Sequence, residues 1–293
     1  MSDTSKHPIR VNYVSEGGEV YRTGTYGGWD FIYTASTVKD PRYNIGDRVV
    51  LPDGRVYRYA LASGTVYTEW GCYKSKKTNT VAVAPAQASV SVTDPDSGLA
   101  TTETAGAAGS RYVSVTIDTE IGALTTGVLH ENELHGGYIV VGNGSGQHPQ
   151  MRMIVSHPAL TSTGGTLTLK LDAPLASAVT AATTTIELME NPFYNLKADG
   201  SGGDYVTFLG MAAVTATSGQ YFWVQTWGPC WITSDGNTCD SARDRTIVFV
   251  GNGSVVSSND VTVESGLQIA GVALDTSGSG ASNAPFCLLQ IWP

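Results

Sequence analysis

Apolar residues in this chain recur with period two and in short runs, and hardly anywhere with the 3.6-residue period of a helix. Tyr112–Ile117 (YVSVTI), Gly137–Val141, Met151–Val155, Thr166–Leu171 and Thr184–Met189 alternate or are densely β-branched, and turn formers separate them. Tyr221–Thr226 (YFWVQT), Trp231–Thr233, Thr246–Val250, Leu267–Ala273 and Phe286–Trp292 continue the pattern. Arg48–Leu51 and Arg55–Tyr59 flank Pro52-Asp53-Gly54, which reads as a hairpin: Pro presets one dihedral and Gly accepts positive φ. The nearest helical candidate, Ala173–Ala182, is broken by Pro174 and by β-branched residues. The expected fold is mainly β, built from several small antiparallel β domains of sandwich or barrel type.

Composition agrees. Charged residues make up 15% of the chain, against about a quarter in an average protein, and there are 34 glycines. Neutral hydroxyl side chains suit the exposed faces of strands. Two stretches rich in small and turn-forming residues, 86–110 and 195–204, read as linkers or long loops. They divide the chain into an N-terminal arm and hairpin (1–85), a middle β domain (105–195) and a C-terminal β domain (200–293).

The net charge of −9 is uneven. Residues 1–77 carry 11 Lys and Arg against 8 Asp and Glu, and the remainder carries 6 against 18. So acidic a majority argues against nucleic acid as a partner. The mildly basic first quarter suits an acidic protein surface, or equally a chance fluctuation among exposed residues. No apolar leader opens the chain and no run reaches a membrane-spanning length, so neither export nor a membrane partner is expected.

No motif points to catalysis or a cofactor. In His130-Glu131-Asn132-Glu133-Leu134-His135 the histidines are five apart, off the single helical face that a zincin uses, and Gly136-Gly137 follows at once. It reads as a polar turn. Gly142-Asn143-Gly144-Ser145-Gly146 lies between two strands with no helix N-terminus for phosphate, so it reads as a hairpin tip. Asp94–Gly98 and Asp235–Asp240 offer oxygen ligands without EF-hand spacing and read as turns. There is no GxSxG elbow, though paired carboxylates alone would suffice for a glycosidase. Cys72, Cys230, Cys239 and Cys287 form no CxxC. Cys230 and Cys239 flank a turn and could bridge; without an export signal, buried thiols are the expectation. No metal or other cofactor is expected.

Several segments carry a family resemblance. Phe208-Leu209-Gly210-Met211-Ala212-Ala213 leads into the Trp-rich YFWVQTWGPCWI, then residues 251–275 and a closing apolar strand. The early hairpin Tyr43–Tyr59, Leu171–Leu175 and Asn191–Asn195 add to it. Taken together the chain resembles capsid cement, or decoration, proteins of tailed phages, particularly marine and cyanobacterial ones. The resemblance implies a homotrimer on local three-fold positions of the shell. There it would clamp neighbouring major capsid subunits, after synthesis in the host bacterial cytoplasm.

On that reading the C-terminal domain forms the trimer centre, through Trp223, Trp227, Trp231 and Trp292. An extended N-terminal arm, residues 1–40, would order on binding, and residues 1–60 would make most of the capsid contacts, through Arg10, Tyr13, Tyr21, Arg22, Tyr26, Trp29, Tyr33, Arg42 and Tyr43. The alternatives are a tail-fibre or other glycan-binding virion protein, for which Tyr and Trp would line a sugar groove, and a glycan hydrolase.

Overall fold

The computed structural model describes residues 30–74, 106–117, 131–143, 147–160, 165–178, 184–189, 191–198, 207–235, 245–258, 268–275 and 285–293. After a single 3-10 turn, Asp30–Tyr33, come β1 (Arg48–Val50), β2 (Val56–Leu61), β3 (Gly71–Lys74), β4 (Tyr112–Ile117), β5 (Tyr138–Asn143), β6 (Gln147–Ser156), β7 (Gly165–Leu171) and β8 (Thr184–Met189). β9 (Leu196–Lys197), β10 (Phe208–Ala212), β11 (Tyr221–Trp231), β12 (Thr246–Phe249), β13 (Val255–Ser257), β14 (Ile269–Ala273) and β15 (Phe286–Gln290) follow. The protein is mainly β, the ladders between its described strands are antiparallel, and no α-helix occurs among the described residues.

The chain forms two compact units rather than three regions in a row. Met1–Ser75 joins Phe193–Pro293 in the first, and Lys76–Pro192 is the second. The reason is strand pairing: β3 runs along β10, with Gly71 opposite Met211, and β2, also from the expected N-terminal region, runs along β11, with Tyr221 opposite Leu61 and Gln225 opposite Tyr57. The early hairpin is therefore part of the C-terminal sheet.

Within the second unit the strand order is β4-β7-β6-β5-β8. Alternation sets its two faces. Val113, Val115, Leu167, Leu169 and Leu171 point inward with Ile139, Val141 and Ile154. On the outer face Ser114 and Thr168, directly opposite in the ladder, join hydroxyls at 3.1 Å.

The first unit is a ten-stranded sheet that curls on both sides of β11. One path runs β2-β11-β10-β3-β9 and returns through a bridge between Leu196 and Ala62. The other runs β11-β15-β14-β12-β13 and returns where Val255 bridges Ser234, just past β11. The second return is tight: the Gly71 N–H donates to the Gly253 carbonyl at 2.7 Å. Gly253 has φ +91°, and a Cβ there would strike the Gly71 backbone.

Pro52-Asp53-Gly54 forms the expected hairpin, with Gly54 at φ +86° and Val49 opposite Tyr57. The arm expected over residues 1–40 is corrected for its described part. Ile32 is fully buried, and Ser36 exchanges two backbone hydrogen bonds with Tyr221. Apolar residues at positions 31, 32, 43, 49 and 51 layer over Tyr57, Tyr59 and Trp223. Burying those rings outweighs the entropy of an extended arm.

Candidate functional site

β11 carries the site because it changes face midway. Its register with β2 slips between Gln225 and Trp227, a bulge that leaves one residue unpaired. Gln225 holds the bulge from inside: Nε2 donates to the carbonyls of Trp227, Gly228 and Pro229, the last at 2.9 Å. Its Oε1 accepts from the Tyr57 hydroxyl at 3.1 Å. That hydroxyl also accepts from Arg55, whose guanidinium reaches Tyr33 and Asp53 as well. Burial pushes Tyr57 far above its ordinary pKa, so it stays a neutral donor to Gln225.

Beyond the bulge, Cys230 points inward with Cys287 and Leu289, and the intervening residues point outward. Trp231 stands opposite Phe286, their rings 5.5 Å apart. Leu274 continues the row, its N–H bonded to the Phe286 carbonyl. In the next row Pro229 faces Leu288, which faces Val272, which faces Thr246. Trp227 and Gln290 form the third. Trp231 is 55% exposed, Leu274 50%, and Ile269 at the start of β14 59%. None of the side chains in these rows is charged.

The expected trimer residues therefore separate. Trp227 and Trp231 lie on this outer face. Trp223 is a correction: its ring is 2% exposed, edge-on to Tyr43 at 4.8 Å and close to Phe31 and Tyr59. Trp292 packs instead on Phe193 and over Arg58.

Of the expected capsid contacts, Tyr43 is likewise corrected, since it is buried against Trp223. Tyr33 is half exposed and accepts a hydrogen bond from Arg55, while exposed Arg42 pairs with Asp40. Arg10, Tyr13, Tyr21, Arg22, Tyr26 and Trp29 lie outside the described residues. Phe286, Leu288, Leu274 and Ile269 were not expected at the site. For Phe286 and Leu288 the signal was in FCLLQIW, where four consecutive apolar residues in an alternating strand demand two apolar faces.

Other motifs resolve locally. The turn before β5 is tied to residues after β6: the Leu134 N–H donates to His157 Nε2 at 2.8 Å, and the His157 N–H donates to Asn132 Oδ1. His135 Nδ1 meets the Val155 carbonyl at 2.6 Å. Among the described residues no group of three or more His, Cys, Asp or Glu side chains could hold a metal ion. No helix there is long and apolar enough to cross a membrane. Asn252 Oδ1 accepts from both the N–H and the hydroxyl of Ser254. Residues 94–98, 144–146 and 236–240, with Cys239, lie outside the described residues.

No family model, no curated protein and no solved structure matches the chain.

Proposed function

We propose that this protein is a non-catalytic structural component of a phage particle, bound as a homotrimer to the outside of the capsid, where it holds neighbouring major capsid subunits together. The observation that supports the reading is the uncharged outer face of β11, β15 and β14. Three of its apolar side chains expose half or more of their surface. Large apolar side chains exposed on one strand face are a feature of interaction surfaces. In a chain of net charge −9, such a face lets copies meet without setting like charges directly against one another.

Cementing needs no reactive group. It needs modest contact area repeated over many copies, which an all-β frame supplies without a moving part. The mildly basic balance of residues 1–77 suits the capsid-facing side. Co-sedimentation with empty shells of the phage that encodes the chain tests the reading. Saturable pelleting in multiples of three copies is expected. Failure to pellet, together with glycan binding at millimolar or better, would replace it with a tail or fibre role.

A further inference from the structure

The inner face of the same strands carries two cysteines that sequence spacing does not pair. Cys230 of β11 and Cys287 of β15 are register partners, and their sulfur atoms are 3.4 Å apart, both as thiols. They lie 57 positions apart in the chain, whereas the neighbour in sequence is Cys239. Antiparallel partners have Cα atoms about 4.5–5.5 Å apart, inside the 4.4–6.8 Å range that a disulfide spans. Closing the remaining gap takes side-chain rotation, with no shift of backbone. We propose that Cys230 and Cys287 are a covalent modification site, joined as a cross-strand disulfide when the chain folds in an oxidising medium.

The chemistry is thiol–disulfide exchange with a small-molecule disulfide such as oxidised glutathione. One cysteine thiolate attacks the oxidant's S–S bond, forms a mixed disulfide and releases one thiol. The second cysteine thiolate attacks the protein sulfur, forms the Cys230–Cys287 bond and releases the other thiol. Two electrons pass to the oxidant, and the two cysteine protons end on the released thiols.

Timing follows from burial. Cys230 is 5% exposed and Cys287 0%, among Ile232, Ile247, Leu289 and Ala273, and β15 is flanked by β11 and β14. The folded reduced protein therefore reacts slowly, and the bond forms readily only while β15 is undocked. Once made, it staples the last strand to β11, under the Trp231–Phe286 row. The inference stands independently of the proposed function.

The full chain, refolded from denaturant in a glutathione redox buffer, tests it. The expected product is lighter than the reduced chain by about 2 Da, the two hydrogens lost. A non-reducing peptide map should join the Cys230 and Cys287 peptides. Reduction should lower the first unit's thermal midpoint by on the order of 10 °C, given the long loop closed. Cys287→Ala should abolish the link. Cys239→Ser removes the sequence neighbour, should keep the link, and serves alone if the first variant fails to fold. A map joining Cys230 to Cys239, or four thiols that all still alkylate after refolding, overturns the proposal.

Discussion

The guanidinium carbon of Arg58 lies 5.1 Å from the ring centroid of Trp292 and 5.6 Å from that of Phe193. Arg58 is 7% exposed, and its Nη1 donates to the Gly46 carbonyl. One buried cation thus ties β2, the segment that re-enters the first unit at Phe193, and the penultimate residue of the chain. A desolvated cation–π contact is worth about 2 kcal/mol. Arg58→Met and Trp292→Ala should each destabilise the first unit by about 2–3 kcal/mol in denaturant titration. The double variant should cost about 1–2 kcal/mol less than their sum.

The tryptophans of β11 should behave oppositely. Trp223→Ala empties a core site between Tyr43 and Tyr59 and should cost about 3–5 kcal/mol. Trp231→Glu puts a charge on an exposed position and loses only the ring contact with Phe286, so the monomer should stay within about 1.5 kcal/mol of the parent. The same change sets three like charges against one another in the proposed trimer. Size-exclusion light scattering should then find monomer, with an unchanged β circular-dichroism spectrum.

Both tryptophans were visible in the sequence, yet their separation was not. Strict alternation puts residues 223, 227 and 231 on one face; the slip between Gln225 and Trp227 reverses the second half of the strand. The pattern shows which residues share a face, and a bulge is a property of the paired strand, which the pattern does not name. The same limit hid the fold's main joint. The hairpin around Pro52-Asp53-Gly54 was legible because turn chemistry is local. Its pairing with β11, more than 160 positions later, was not. Residues 30–40 read as the end of an arm because core-like runs are few there. They are core because they cap aromatic rings on β2 and β11. The outer face was legible only in part: the closing strand announced two apolar sides, and only the partners of β15 show which residues extend each.

In the second unit His157 is a titration-sensitive pin. Nε2 accepts from Leu134, so Nδ1 carries the proton and donates to the Pro158 carbonyl at 2.7 Å. Burial holds the folded pKa below its ordinary 6.5, and the Pro158 carbonyl and Glu133 only partly offset this. The unfolded chain therefore takes up the proton first. Stability is complete above about pH 6.5 and declines as pH falls from there through the folded pKa. Thermal melts between pH 8 and 5 should show that decline, and His157→Gln should flatten it.

Gly253 marks where the second curl of the first unit closes. Gly253→Ala forces a side chain into φ +91° and against the Gly71 backbone, and should cost about 2–3 kcal/mol. Gly109→Ala, also at positive φ but with open space around its Cβ, should cost about 1 kcal/mol. Equilibrium unfolding of the two variants compares crowding with backbone strain.

The most direct test of the account is the solution mass of the purified protein by light scattering, with and without empty capsid shells. A species at three times 30.8 kDa that is depleted from solution when shells are added is the predicted result. A monomer whose concentration is unchanged by shells would contradict it.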